Sequence, residues 1–191
     1  ELTVSLGVYH EILSNVQIYS DYITVCLSVH WWMFPKYVNF TADSLPVAKA
    51  EELADGASSD LDIISSVYNY IITHFTYDYS KASSVTSGYL PDIDEVFTSE
   101  KGICFDYAAL TTAMLRSQDI PCKLQIGYSG DVKHAWIDVY IRGRGWVTKA
   151  VSFDGDTWKL MDPTFDANSD GDEAIQEYIG DESNYTVQFT R

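Results

Sequence analysis

The sequence predicts an α+β domain, and three observations carry that prediction. Helical periodicity dominates from residue 45 to about residue 119. From Cys122 onward apolar residues recur at every second position. Short turns rich in glycine and aspartate separate those later segments. Helices followed by a run of strands joined by tight turns make an antiparallel sheet with a helix packed against it.

Along the chain, residues 1–45 read as a β-rich accessory segment and residues 46–191 as the main domain. In the first part Val4, Leu6 and Val8 alternate with Thr3, Ser5 and Gly7, and Ile23, Val25, Leu27 and Val29 alternate with Thr24, Cys26, Ser28 and His30. "DSLPVAKAEELADG" predicts a short helix with Ser44 as N-cap, Pro46 early and Gly56 just past its end. "SSDLDIISSVYNYIITHFTYD" places Ile64, Val67, Tyr68, Ile71, Ile72 and Phe75 on one helical face, with Ser59 and Asp62 spaced as a capping box. "SKASSVTSG" is a polar loop. A helix then runs from Cys104 to near Asp119, with Pro121 as its stop. "CKLQIGY", "HAWIDVYI", "GWVTKAV" and "TWKLMD" are strands, and the tail from Asp166 reads as an acidic loop with a helical turn near Ala174 to Ile179.

Composition narrows the function. The 191 residues are 46% hydrophobic and 14% aromatic, enough for one full core. Twelve Lys and Arg against 28 Asp and Glu leave a net charge of −16, which repels phosphate backbones and anionic lipid. Nucleic acid is therefore not an expected partner. The longest apolar candidate, Tyr22 to Phe34, is too short to span a bilayer and is interrupted by His30. No signal-peptide pattern opens the chain at Glu1, and so acidic a surface suits an extracellular or cell-surface protein. Three cysteines leave at least one unpaired within the chain, and Cys26 and Cys122 read as buried thiols.

Three residues stand in contexts that suit joint chemistry. "KGIC" places Cys104 at the start of an apolar helix, where orphan N–H groups and the positive end of the dipole favour a thiolate and can bind an oxyanion. Alone, it would read as a small buried residue. His134 opens "HAWIDVYI" beside a turn and shares a face with Trp136, Asp138 and Tyr140; from there an imidazole can take up and return a proton. Asp162 ends "TWKLMD" before Pro163, whose ring keeps the preceding residue extended, and its carboxylate can orient an imidazole. The order is Cys, His, Asp, thirty and then twenty-eight residues apart.

On "GICFDYAALTTAMLRSQDIPCKLQIGY", "HAWIDVYI" and "WKLMDPTF", residues 60 to 166 resemble the transglutaminase-like superfamily, a branch of the papain-like cysteine enzymes, and "FTYDYS" and "SGYLPDID" resemble segments of its bacterial members. The resemblance implies a papain-like fold, with the nucleophile helix packed against an antiparallel sheet. It also implies Cys104 as nucleophile, His134 as general base and acid, Asp162 as orienting carboxylate, and a thioester acyl-enzyme resolved by water or an amine. The implied substrate is a protein or peptide amide, cell-wall peptides included. Because family members often add a side-chain oxyanion donor, Tyr77 and Tyr89 are candidates, with Tyr79 beside them. Asp106, in the first helical turn, reads as structural, since its charge would oppose a thiolate.

No cofactor is required by this chemistry. One motif admits a metal: "DANSDGDEAIQE" fits a calcium-loop pattern through Asp166, Asn168, Asp170 and Glu177, although the strand expected before it supplies no entering helix. A rival of another class is a non-catalytic module that binds peptide or carbohydrate through its fourteen tyrosines and five tryptophans.

Overall fold

The computed structural model describes residues 37–143, 145–147, 162–168 and 172–191. The alternating segments expected before residue 37, Cys26 among them, and the expected strand over residues 157–161 lie outside the described residues.

Helices α1 (Leu45–Ala54) and α2 (Asp60–His74) form where expected. Ser44 is the N-cap of α1, and Gly56 follows its end at φ +75°, a left-handed conformation that suits glycine. Half of the expected capping box forms on α2. The Ser59 side chain accepts the Asp62 N–H, while the Asp62 carboxylate takes the N–H and hydroxyl of Ser58. Strand β1 (Thr76–Tyr77) and strand β2 (Lys101–Gly102) pair in parallel, and between them lie helices α3 (Tyr79–Ser84) and α4 (Ile93–Ser99). "SKASSVTSG" is thus partly helical rather than all loop, because Asp78 caps α3 by accepting the Lys81 N–H at 2.8 Å.

Helix α5 (Cys104–Ser117) occupies the centre of the domain. It is apolar on nearly every side, which marks a helix enclosed by neighbours rather than one lying on a surface. Ala108, Ala109, Leu110, Ala113, Met114 and Leu115 are all fully buried. Its alanines let α1, α2 and α4 approach on one side, while β3 (Cys122–Ser129) and β4 (Val132–Ile141) cover the other. Each large aliphatic chain buried there contributes about 2–3 kcal/mol.

The sheet is antiparallel, in the order β5 (Gly145–Val147), β4, β3, β6 (Tyr185–Thr190). In β4, Ala135, Ile137 and Val139 join the core cluster with α5, so His134, Trp136 and Asp138 must point to the opposite face. β4 begins two residues before His134 and pairs it with Gly127 of β3. The tail has the helical turn expected near Ala174 to Ile179, but the segment around Asp166 is helical rather than loop, and a strand follows. Helix α6 (Pro163–Ala167), helix α7 (Glu173–Gly180) and a 3₁₀ turn (Glu182–Asn184) lead into β6. A short helix therefore does precede the acidic stretch. It forms because the Asp162 carboxylate accepts the N–H groups of Thr164 and Phe165, each at 3.2 Å.

Candidate active site

Cys104 is the first residue of α5, half-buried, with Ile103 as the N-cap in extended conformation. The unpaired N–H groups of the first helical turn therefore lie at the end of the helix that bears it. His134 is 6% exposed, and Asp162 is fully buried. The His134 Nε2 lies 2.6 Å from the Asp162 Oδ2. Cys104 stands near enough to the same imidazole to help raise its pKa, and with Nε2 engaged by Asp162 the ring nitrogen left to exchange a proton is Nδ1. Residues distant along the chain thus meet at the helix start, the second strand of the sheet and the turn before Pro163.

Three aromatic rings enclose the imidazole. Phe165 has its centroid 4.8 Å away, Trp136 stacks at 6.2 Å, and Tyr185 lies at 6.3 Å. Burial on its own would lower the His134 pKa. The charge and hydrogen bond of Asp162, with a contribution from Cys104, outweigh burial and raise it to about 10. Asp162 itself is held by four donors: the imidazole, two backbone N–H groups and the Tyr185 hydroxyl, which donates to Oδ2 at 3.1 Å. Burial and the adjacent carboxylate push the Tyr185 phenol well above its ordinary range, so it stays a donor.

Tyr185 was not among the sequence candidates. The signal was present, because "YTVQFT" alternates as a strand should. Its connection to Asp162 depends on β6 pairing with β3, which sequence periodicity does not report.

The tyrosine candidates separate. Tyr77 pairs with Gly102 in the β1–β2 register, and burial together with the nearby Cys104 pushes its phenol up. Tyr89 gives its hydroxyl proton to the Asp106 Oδ1, so that proton is committed away from the sulfur. Tyr79 is 74% exposed and packs its ring at 5.0 Å from that of Tyr77.

The calcium candidates do not form a described cluster. Asn168 donates its side-chain amide to the Thr164 carbonyl at 2.7 Å, Glu177 is exposed on α7, and Asp170 and the Asp166 side chain lie outside the described residues. Among the described residues, no group of three or more His, Cys, Asp or Glu is arranged to hold a metal. Cys122 is a free thiol sealed in the core, pushed up to about 12 by burial. No helix among the described residues is long and apolar enough to cross a membrane.

Comparison with known proteins agrees with this architecture. The family model of the transglutaminase-like superfamily matches residues 47–150, more than half of the chain. That span holds Cys104 and His134 and stops short of Asp162. Kyphoscoliosis peptidase from Mus musculus is 27% identical over 126 residues, and its Homo sapiens counterpart 26%. Each match covers 60% of this chain but 17% of the relative, so the chain spans a small part of those proteins' length. Among solved structures, a protein from Cytophaga hutchinsonii provisionally assigned as a cysteine protease superposes with a TM-score of 0.53 at 18% identity, covering 82% of this chain and 44% of that one. The periplasmic domain of TgpA from Pseudomonas aeruginosa gives 0.51 at 18% identity, covering 75% and 49%. These structural likenesses establish the fold.

Proposed function

The chain belongs to the transglutaminase-like superfamily, and from that premise we propose that it is a cysteine-dependent enzyme acting on a peptide or protein amide, with hydrolysis as its outcome. The observation that carries the proposal is the imidazole of His134, bonded through Nε2 to a buried carboxylate and close enough to Cys104 to be influenced by it.

In this mechanism the Cys104 sulfur, with its proton on His134, attacks the amide carbonyl carbon. The oxyanion that forms is met by N–H groups at the start of α5, and Tyr77 is the side-chain donor best placed to join them. As the C–N bond breaks, the imidazolium gives its proton to the departing amine, leaving a thioester. The neutral ring then takes a proton from water as the water oxygen attacks the thioester, the C–S bond breaks to release the carboxylic acid, and the ring returns that proton to the departing Cys104 sulfur. An amine in place of water would give a new amide and so a crosslink. Hydrolysis is preferred here because the curated relatives are named peptidases, and because water needs no binding channel to reach a half-buried thioester. The acidic surface favours peptides of basic or neutral character.

The test is alkylation of the native protein with iodoacetamide near pH 6. Cys104 should modify far faster than a free thiol, and His134→Ala should abolish the excess. Incubation with peptide amides should then leave an acyl adduct on Cys104 detectable by mass. Labelling at the rate of a free thiol would favour the non-catalytic binding module instead.

A further inference from the structure

Asp106 lies two residues beyond Cys104 in the first turn of α5, and none of it reaches solvent. A buried carboxylate is costly unless its oxygens are satisfied, and here its charge also opposes a neighbouring thiolate. Both oxygens are occupied. Oδ1 accepts the Tyr89 hydroxyl, while Oδ2 accepts the Ile103 N–H at 2.8 Å and pairs with the Lys81 Nζ at 2.7 Å. The Lys81 ammonium also stands 4.6 Å from the centroid of the Tyr89 ring.

Two of these partners come from a segment whose helix α3 buries none of its residues and that otherwise touches the domain mainly through the Tyr79 ring on Tyr77 and the Tyr89 ring edge-on to Phe105. Tyr79, Val85 and Leu90 are among the exposed large apolar side chains. β1–β2 pairing secures the segment before residue 79, and the buried Ile93 secures it after residue 90. Between those points, Lys81 and Tyr89 are drawn onto a single carboxylate. From the other side, β2 closes on that acid so tightly that a Cβ at Gly102 would sit 2.6 Å from the Asp106 Cβ.

The geometry points to Asp106 as a positioning residue: one buried carboxylate latches residues 79–90 against the first turn of the nucleophile helix, and Lys81 cancels the charge that would otherwise face the Cys104 sulfur. The latched segment carries Tyr79, whose ring packs on that of Tyr77 beside Cys104. Its position therefore sets one wall of the site. The functional consequence rests on Cys104 being the nucleophile; the latch itself does not.

Two measurements on the full chain separate these points. Hydrogen exchange read by mass spectrometry should accelerate across residues 79–90 by roughly tenfold in Lys81→Met and Asp106→Asn, and by less in Tyr89→Phe, as expected for losing hydrogen bonds to a charged group. The interior of α5 and the β3–β4 pair should exchange as in wild-type. Iodoacetamide should alkylate Cys104 about threefold or more slowly in Lys81→Met, where the acid is left without its cation, and Lys81→Arg should restore the rate. The proposal is overturned if residues 79–90 exchange as in wild-type in both Lys81→Met and Tyr89→Phe, if exchange accelerates everywhere alike, or if Lys81→Arg restores nothing. Should wild-type Cys104 alkylate no faster than a free thiol, the enzymatic reading falls, and the exchange data still decide the latch.

Discussion

Replacing Asp162 by asparagine keeps the shape of the buried cluster and removes its charge, so it asks what keeps a proton on His134. Burial pulls the imidazole down, yet Asp162 and Cys104 carry it from 6.5 to about 10. That rise is equivalent to roughly 5 kcal/mol of preference for the charged ring, at about 1.4 kcal/mol for each tenfold change. Because the folded-state value lies above the unfolded one, the stabilisation is complete below about pH 6.5 and is lost as pH rises through about 10. In Asp162→Asn, Oδ1 would still accept the Thr164 and Phe165 N–H groups. The amide nitrogen would donate to Nε2, so the ring proton would move to Nδ1 and the ring could no longer accept one from the thiol. Urea denaturation at intervals from pH 6 to 10 reads both proteins. The variant should be weaker by about 4 kcal/mol at pH 7, since pH 7 lies about three units below the folded-state value and just above the unfolded one, and the difference should close as pH approaches 10. Carboxylates and lysines elsewhere titrate alike in both proteins, so the difference curve isolates this pair. Two parallel curves would refute the reasoning.

Other predictions rest on single contacts. Tyr185→Phe keeps the ring on Trp136, 5.1 Å away, and removes the hydroxyl from Asp162; stability should fall by about 1–2 kcal/mol and Cys104 alkylation should slow several-fold, read by thermal melting and adduct mass. In Gly127→Ala the new Cβ would lie 1.9 Å from the Thr186 carbonyl oxygen, so β6 must move; a loss of at least ~2 kcal/mol and faster amide exchange over Tyr185–Thr190 are expected in denaturation and exchange experiments. Cys122, fully buried on β3, should stay unlabelled by iodoacetamide in the native protein and label only after denaturant is added, as peptide mapping would show.

Parts of this site are legible in sequence because they depend on local rules. The change from a glycine turn to an unbroken apolar helix locates Cys104 at a helix start. Alternation through "HAWIDVYI" separates the face of His134 from the face that packs on α5, and Pro163 marks Asp162 as the residue before a change of direction. What escapes such rules is tertiary. The partners of Asp106 lie 25 and 17 residues upstream, in segments without apolar periodicity, so only the assembled structure gives them a common acceptor. The parallel β1–β2 pair is two residues long on each side, too short for any period to register, yet it holds Tyr77 near enough to Cys104 to feel its charge. The helical turn near Ala174 to Ile179 is legible from its good helix formers, whereas the short helix after Asp162 depends on that carboxylate capping it, which composition does not report.

The two opposing influences on His134 indicate which proton transfer this site would serve best. A histidine that had only to accept a proton would work with an ordinary pKa near neutrality. Expelling an amine from a tetrahedral adduct demands more, because the nitrogen leaves readily only once it is protonated. In the proposed reaction, a buried imidazole held charged by a buried carboxylate would keep that proton ready at the point of bond cleavage, with the Phe165, Trp136 and Tyr185 rings keeping water from screening the pair. Tyr185 contributes by donating its hydroxyl proton to the Asp162 Oδ2, one of the contacts that fix the carboxylate against the ring. The strand that completes the sheet therefore also positions the carboxylate on which the histidine depends, and loosening β6 should impair chemistry at Cys104 without any change to Cys104, His134 or Asp162.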